Sequence, residues 1–125
     1  MSTRAMVLIV DRHGTVKLYH HSDGYWSWFG KRLLDIASKI YTSTSELDVE
    51  MVADKIMRAM PETKVANMIH SDLEWLYVIR ADKKQMDVYN GIHFDNEDEE
   101  IYKFGKYDFT KHKFVFGYDF LEKGD

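Results

Sequence analysis

The 125-residue chain has the length of one domain, and with 45% hydrophobic and 14% aromatic residues it can bury a core, which excludes disorder over most of its length. It has no cysteine, which removes disulfide frameworks, thiolate zinc sites and cysteine nucleophiles and fits a reducing cytoplasm. The formal charge of −4 is uneven: residues 1–40 hold six basic side chains against three carboxylates, whereas residues 81–100 hold Lys83 and Lys84 against seven, so an anionic ligand would favour the first third. Direct nucleic-acid binding through a general basic surface is disfavoured.

Met1-Ser2-Thr3-Arg4 leads into the apolar segment Ala5 to Val10, stopped by Asp11-Arg12, which is too short for a signal segment or a membrane span. A soluble cytoplasmic protein is expected. Thr3 to Val10, the turn-like Asp11-Arg12-His13-Gly14 and the alternating Thr15 to His20 read as a β-hairpin. After Gly30, Leu33, Leu34, Ile36, Ala37, Ile40 and Tyr41 recur at helical spacing. Ser43 or Ser45 offers a capping-box start to a second helix with Val49, Val52, Ala53, Ile56, Met57 and Met60 on one face, ended by Pro61.

The second half reads as strands over Lys64 to His70, Glu74 to Arg80, Gln85 to Phe94, Ile101 to Phe104 and Lys113 to Phe120, with Asp82-Lys83-Lys84 as a turn. Asn90-Gly91 offers a tight hairpin turn as an alternative. Residues 121–125 are expected to fray. The fold class is α+β, a single domain over 1–125: an antiparallel sheet with two helices packed on one face, in the order ββαα then four to five strands. The other sheet face is left to solvent or a partner. In the last strand Phe114, Phe116, Tyr118 and Phe120 share one side and are read as core, with a homo-oligomer interface as the alternative.

The chain is organised around Tyr19-His20-His21-Ser22-Asp23-Gly24-Tyr25-Trp26-Ser27-Trp28-Phe29-Gly30, which links strand to helix and concentrates histidines, aromatics and glycines in one loop. Ring faces stack on a base, and cations hold phosphates. The candidate ligand-binding residues are Arg4, His21, Asp23, Tyr25, Trp26, Trp28, Lys31 and Arg32, the last two in a first helical turn whose N–H groups favour anions. Against this, at least two of the rings are expected to staple the loop to the core, Phe29 and Trp28 foremost. Asp23-Gly24 also reads as a plain turn, with Asp23 accepting backbone N–H bonds and Gly24 at positive φ.

No catalytic residue, cofactor or metal site is assigned. The six histidines lack ligand spacing, and His20 and His21 point to opposite faces of a strand. No glycine-rich phosphate cradle or nucleophile elbow is present. A hydrolase using His21 and Asp23 is the weakest functional class, because the pair lacks a nucleophile or metal. The acidic run contributes Asp95, Glu97, Asp98, Glu99 and Glu100; it misses the calcium-loop pattern and reads as a solvated hairpin tip. Its sharper reading is a phosphate mimic that inhibits a host defence complex of the nuclease or CRISPR type.

Thr3-Arg4, the hairpin ending in Tyr19-x-His21-x-Asp23-Gly24-Tyr25, Gly30 and the Leu33-Leu34 helix resemble a pattern in small phage and prophage proteins. Those proteins carry proline after Asp-Gly-Tyr, where Trp26 stands here. The pattern is linked to phage anti-defence proteins such as the Thoeris anti-defence sponge. The resemblance implies a non-enzymatic oligomer in the cytoplasm of an infected bacterium that sequesters a cyclic ADP-ribose-type nucleotide signal between protomers.

Overall fold

The computed structural model describes residues 4–21, 23–43, 48–68, 74–90 and 103–116. The described chain is mixed α+β, a seven-stranded sheet with two helices. Strands β1 (Ala5–Asp11) and β2 (Gly14–His20) form the first hairpin. Asp11 closes its turn by accepting the N–H groups of His13 and Gly14 at 2.7 and 2.9 Å. Helices α1 (Lys31–Ser43) and α2 (Val49–Ala59) follow, then β3 (Lys64–Val65), β4 (Trp75–Arg80), β5 (Gln85–Asn90), β6 (Lys103–Asp108) and β7 (Lys113–Phe116). The strand order is β3-β2-β1-β4-β5-β6-β7.

The sheet is not wholly antiparallel, because β1 pairs in parallel with β4, Ala5 opposite Trp75 through Val10 opposite Arg80. The reason is a crossover. The chain leaves the β1–β2 hairpin, runs through both helices and β3, and re-enters beside β1 in the same direction, a return that a tight turn cannot make. Both strands of the parallel pair are buried on their two faces, so neither alternates in polarity.

One core cluster joins Ala5, Val7 and Ile9 of β1, Tyr77 and Ile79 of β4, and Met86 and Val88 of β5 to the helical residues Leu33, Ala37, Ile40, Val52, Ala53 and Ile56. The alternate strand residues Met6, Leu76, Val78 and Tyr89 form a second cluster, each no more than 5% exposed. The centre of that second face is therefore buried rather than open to solvent. Buried methylenes on both sides make β1 and β4 costly strands to disturb.

Several boundaries differ from those expected. The cap of α2 is Asp48, whose carboxylate accepts the Met51 N–H at 2.8 Å, in place of a serine. Strand β3 covers only two residues, pairing Leu18 with Val65 and Tyr19 with Lys64. Strand β5 is described from Gln85 to Asn90, the rest of its expected span lying outside the described residues, and β6 runs on to Asp108. The expected Asp82-Lys83-Lys84 turn is a 3-10 turn, Ala81–Lys83, closed by Lys84 in the left-handed region at φ 50°. The Asn90-Gly91 alternative, the frayed tail, and Tyr118 and Phe120 of the aromatic face lie wholly or partly outside the described residues. Among the described residues no helix is long and apolar enough to cross a membrane.

Tyr41, on α1, stacks on Phe109 at 5.0 Å, and its buried hydroxyl has no hydrogen-bond partner among the described residues. Burial, then the charges of Asp11 and Asp82, push its phenol up to about 12 from the ordinary 10.0. Its contribution to stability is complete below about pH 10, where the unfolded phenol is still protonated, and is lost as pH rises through about 12. Thermal melts from pH 8 to 12 should show wild type losing stability more steeply than Tyr41→Phe above pH 10. At pH 7 the variant should be as stable as wild type or up to about 1 kcal/mol more so, since the hydroxyl makes no bond there. Parallel curves would contradict this account.

Candidate functional site

The segment after β2 is more ordered than a loop. Trp26–Gly30 forms one turn of π-helix that runs directly into α1. The Trp28 and Gly30 N–H groups donate to the Tyr25 carbonyl at 3.2 and 3.3 Å, and the Lys31 N–H donates to the Trp26 and Trp28 carbonyls. This overturns one expectation: Lys31 and Arg32 do not sit at a free helix N-terminus. The N–H of Lys31 is already paired within the helix, so no bare N–H cluster awaits an anion there.

The wide turn is held by aromatic packing beneath it. Phe29 is 1% exposed, stacks on His20 at a centroid distance of 4.3 Å and tilts against Tyr77 at 5.5 Å. Tyr77 lies fully buried on β4 and donates its hydroxyl to the Gly24 carbonyl at 2.8 Å, tying the segment to the sheet. Burial pushes its phenol well up. Buried His20 hydrogen-bonds through Nδ1 to Thr63 Oγ1 at 3.1 Å, which joins the end of β2 to the segment after α2. Trp26, half-buried, stacks on Phe114 of β7 at 4.8 Å. Phe114 in turn lies over Gly105, where a Cβ would sit 2.5 Å from the ring and 2.6 Å from the Val115 carbonyl. The C-terminal hairpin therefore helps to position the segment.

The polar candidates separate into two groups. Asp23 is exposed and itself adopts the left-handed region at φ 58°. His21 is exposed and bonds through Nδ1 to the Tyr19 hydroxyl at 3.2 Å rather than to Asp23. The orienting pair a small hydrolase would need is not formed. Arg4 is half-buried at the sheet end from which the segment leaves, and its carbonyl accepts from the Glu74 and Trp75 N–H groups at 3.0 and 3.3 Å.

The second group is exposed. Trp28 is 52% exposed and Tyr25 is 38% exposed, whereas Phe29 alone of the expected pair of staples is in the core. The Arg32 guanidinium lies 5.7 Å from the centre of the Trp28 ring, one helical turn on. Its Nη2 also donates, at 3.5 Å, to the carbonyl of Ala59, the last residue of α2, whose negative dipole end favours a cation. Lys31 is exposed beside it. Structural residues missed from the sequence are Tyr77, Thr63 and Phe114; only the strand positions of Tyr77 and Phe114 were visible, and no local pattern pairs them with the segment.

Among the described residues no three histidine or carboxylate side chains gather to hold a metal. His70, His93 and the acidic residues Asp95, Glu97, Asp98, Glu99 and Glu100 lie outside the described residues. No protein-family model, curated protein or solved structure matches the chain.

Proposed function

We propose that the chain is a non-enzymatic binder that sequesters a small anionic nucleotide in the cytoplasm of an infected bacterium, the anti-defence role implied by its phage-protein resemblance. The observation that carries this reading is the outward Trp28 ring with the Arg32 guanidinium over it and Tyr25 and Lys31 nearby. A half-exposed tryptophan forgoes much of the burial that its size offers. Its free face suits a base, and the adjoining cations suit phosphate. Trp26 and Phe29 support the platform from below and are not assigned to the ligand.

The test is to purify the chain from cells and after exposure to cyclic and linear nucleotides, wash it, denature it and identify the released molecules by mass spectrometry. One unaltered nucleotide should be recovered. Stacking on one base contributes about 1–3 kcal/mol, so Trp28→Ala should weaken binding roughly 5- to 150-fold. Its melting temperature should change little, because the ring is outside the core. An empty wild-type protein, or a converted nucleotide, would overturn the reading.

A further inference from the structure

The turn that presents Trp28 is in an uncommon register. The Gly30 N–H donates to the Tyr25 carbonyl and the Lys31 N–H to the Trp26 carbonyl, each five residues back, where an α-helix would reach back four. Such turns are rare, so packing from outside must select this one over the α-helical register. Trp26 makes that contact. Its indole lies against Gly30, where a Cβ would overlap Cε3, and it stacks on Phe114 at 4.8 Å with the rings 26° apart.

The backbone of β6 is shaped to let Phe114 arrive there. Pairing of β5 with β6 steps from Val88 opposite Gly105 to Tyr89 opposite Lys103, which leaves Phe104 as the extra residue of a bulge and bends the strand. Gly105 stands next to that bulge. Phe114 pairs with Tyr107, two residues further along the same face, and its ring crosses diagonally the space that a side chain at Gly105 would fill. The outcome is a column of two rings between two glycines, Gly105, Phe114, Trp26 and Gly30 in order, that joins the C-terminal hairpin to the π-helical turn.

We infer that Phe114 is a positioning residue for the Trp28 platform: through Trp26 it holds the turn in its π-helical register and so sets the direction in which Trp28 faces. The inference rests on the reading of Trp28 as the ligand-binding ring and names what controls that ring. Relaxing to an α-helical register would drop one residue from each hydrogen-bonded ring and rotate the residues before α1 by roughly 100° about its axis. Plain core packing would make Phe114 matter to overall stability alone. A positioning role makes it matter to two particular amides, those of Gly30 and Lys31.

Amide hydrogen exchange of the full chain, followed by nuclear magnetic resonance with no ligand added, separates the two roles. Phe114→Leu keeps an apolar side chain and loses the stack. The Gly30 and Lys31 N–H groups should then exchange roughly 2- to 13-fold faster, the equivalent of one stacked aromatic pair, while the amides of β1 and β4 keep their wild-type rates. Phe114→Tyr, which keeps the ring, should restore the wild-type pattern, and the Trp28 indole N–H signal should shift in the leucine variant and return in the tyrosine one. Wild-type protection of Gly30 and Lys31 in Phe114→Leu would overturn the inference. So would equal acceleration throughout the sheet, the mark of a stability effect alone. Trp26→Leu breaks the same stack from its other side and should speed the same two amides, so the comparison survives if one variant fails to fold. Because no ligand enters, an empty protein in the nucleotide-recovery test would leave this result standing, and a failure here would leave that test as it is.

Discussion

Gly30→Ala should destabilise the protein by about 2–3 kcal/mol, seen as a melting temperature roughly 10 °C lower, although alanine is the better helix former. A Cβ at Gly30 would overlap Trp26 Cε3 and lie 2.9 Å from both Cε1 and the hydroxyl of Tyr77. Neither ring can yield cheaply. Tyr77 is fully buried and held by its bond to Gly24, and Trp26 is stacked on Phe114. The gain of about 1 kcal/mol from replacing a helical glycine is therefore outweighed by overpacking. Gly14→Ala is the control, since nothing lies within 4 Å of its Cβ position, and it should stay within about 0.5 kcal/mol of wild type. Equal melts for the two variants would show that the π-helical turn is not held by this contact. Because that turn aims Trp28 outward, Gly30→Ala should also weaken any ligand stacked there.

Asp87→Ala should cost about 2–3 kcal/mol in urea unfolding, by removing the carboxylate that binds Arg80 and Gln85. Breaking a fully buried ion pair costs more. Here the Arg80 side chain is 37% exposed, and solvent screens part of the loss. Burial works against the Arg80 charge, yet the bond and charge of Asp87, with help from Tyr89, leave the guanidinium pKa raised. A double-mutant cycle with Arg80→Met isolates the pair: the double variant should be more stable than the summed single effects imply. Additive losses would show that Asp87 stabilises the fold through groups other than Arg80, Gln85 among them.

Much of the element content was legible because it rests on local periodicity. The Leu33 to Tyr41 and Val49 to Met60 stripes specify amphipathic helices, and both occur. The first hairpin was legible from alternation and the Asp11 turn. The parallel pairing had a weaker sign, the unbroken apolar runs Ala5 to Val10 and Trp75 to Ile79, which fit strands buried on both faces as well as a hairpin arm. At the candidate site, the concentration of aromatics was plain. Which of Trp26, Trp28 and Phe29 faced outward was not, because a π-helical turn alters the angular spacing that an α-helix or strand would give.

The sequence by itself determined that two helices and several strands form, and that one short segment carries an unusual density of rings beside basic residues. Those properties depend on neighbours three or four places away. Only the tertiary structure decided that β1 and β4 run parallel and that Tyr77 and Phe114 hold the segment from distant strands. These arrangements depend on strand order and register, and register sends each side chain to one face or the other through contacts that no local spacing encodes.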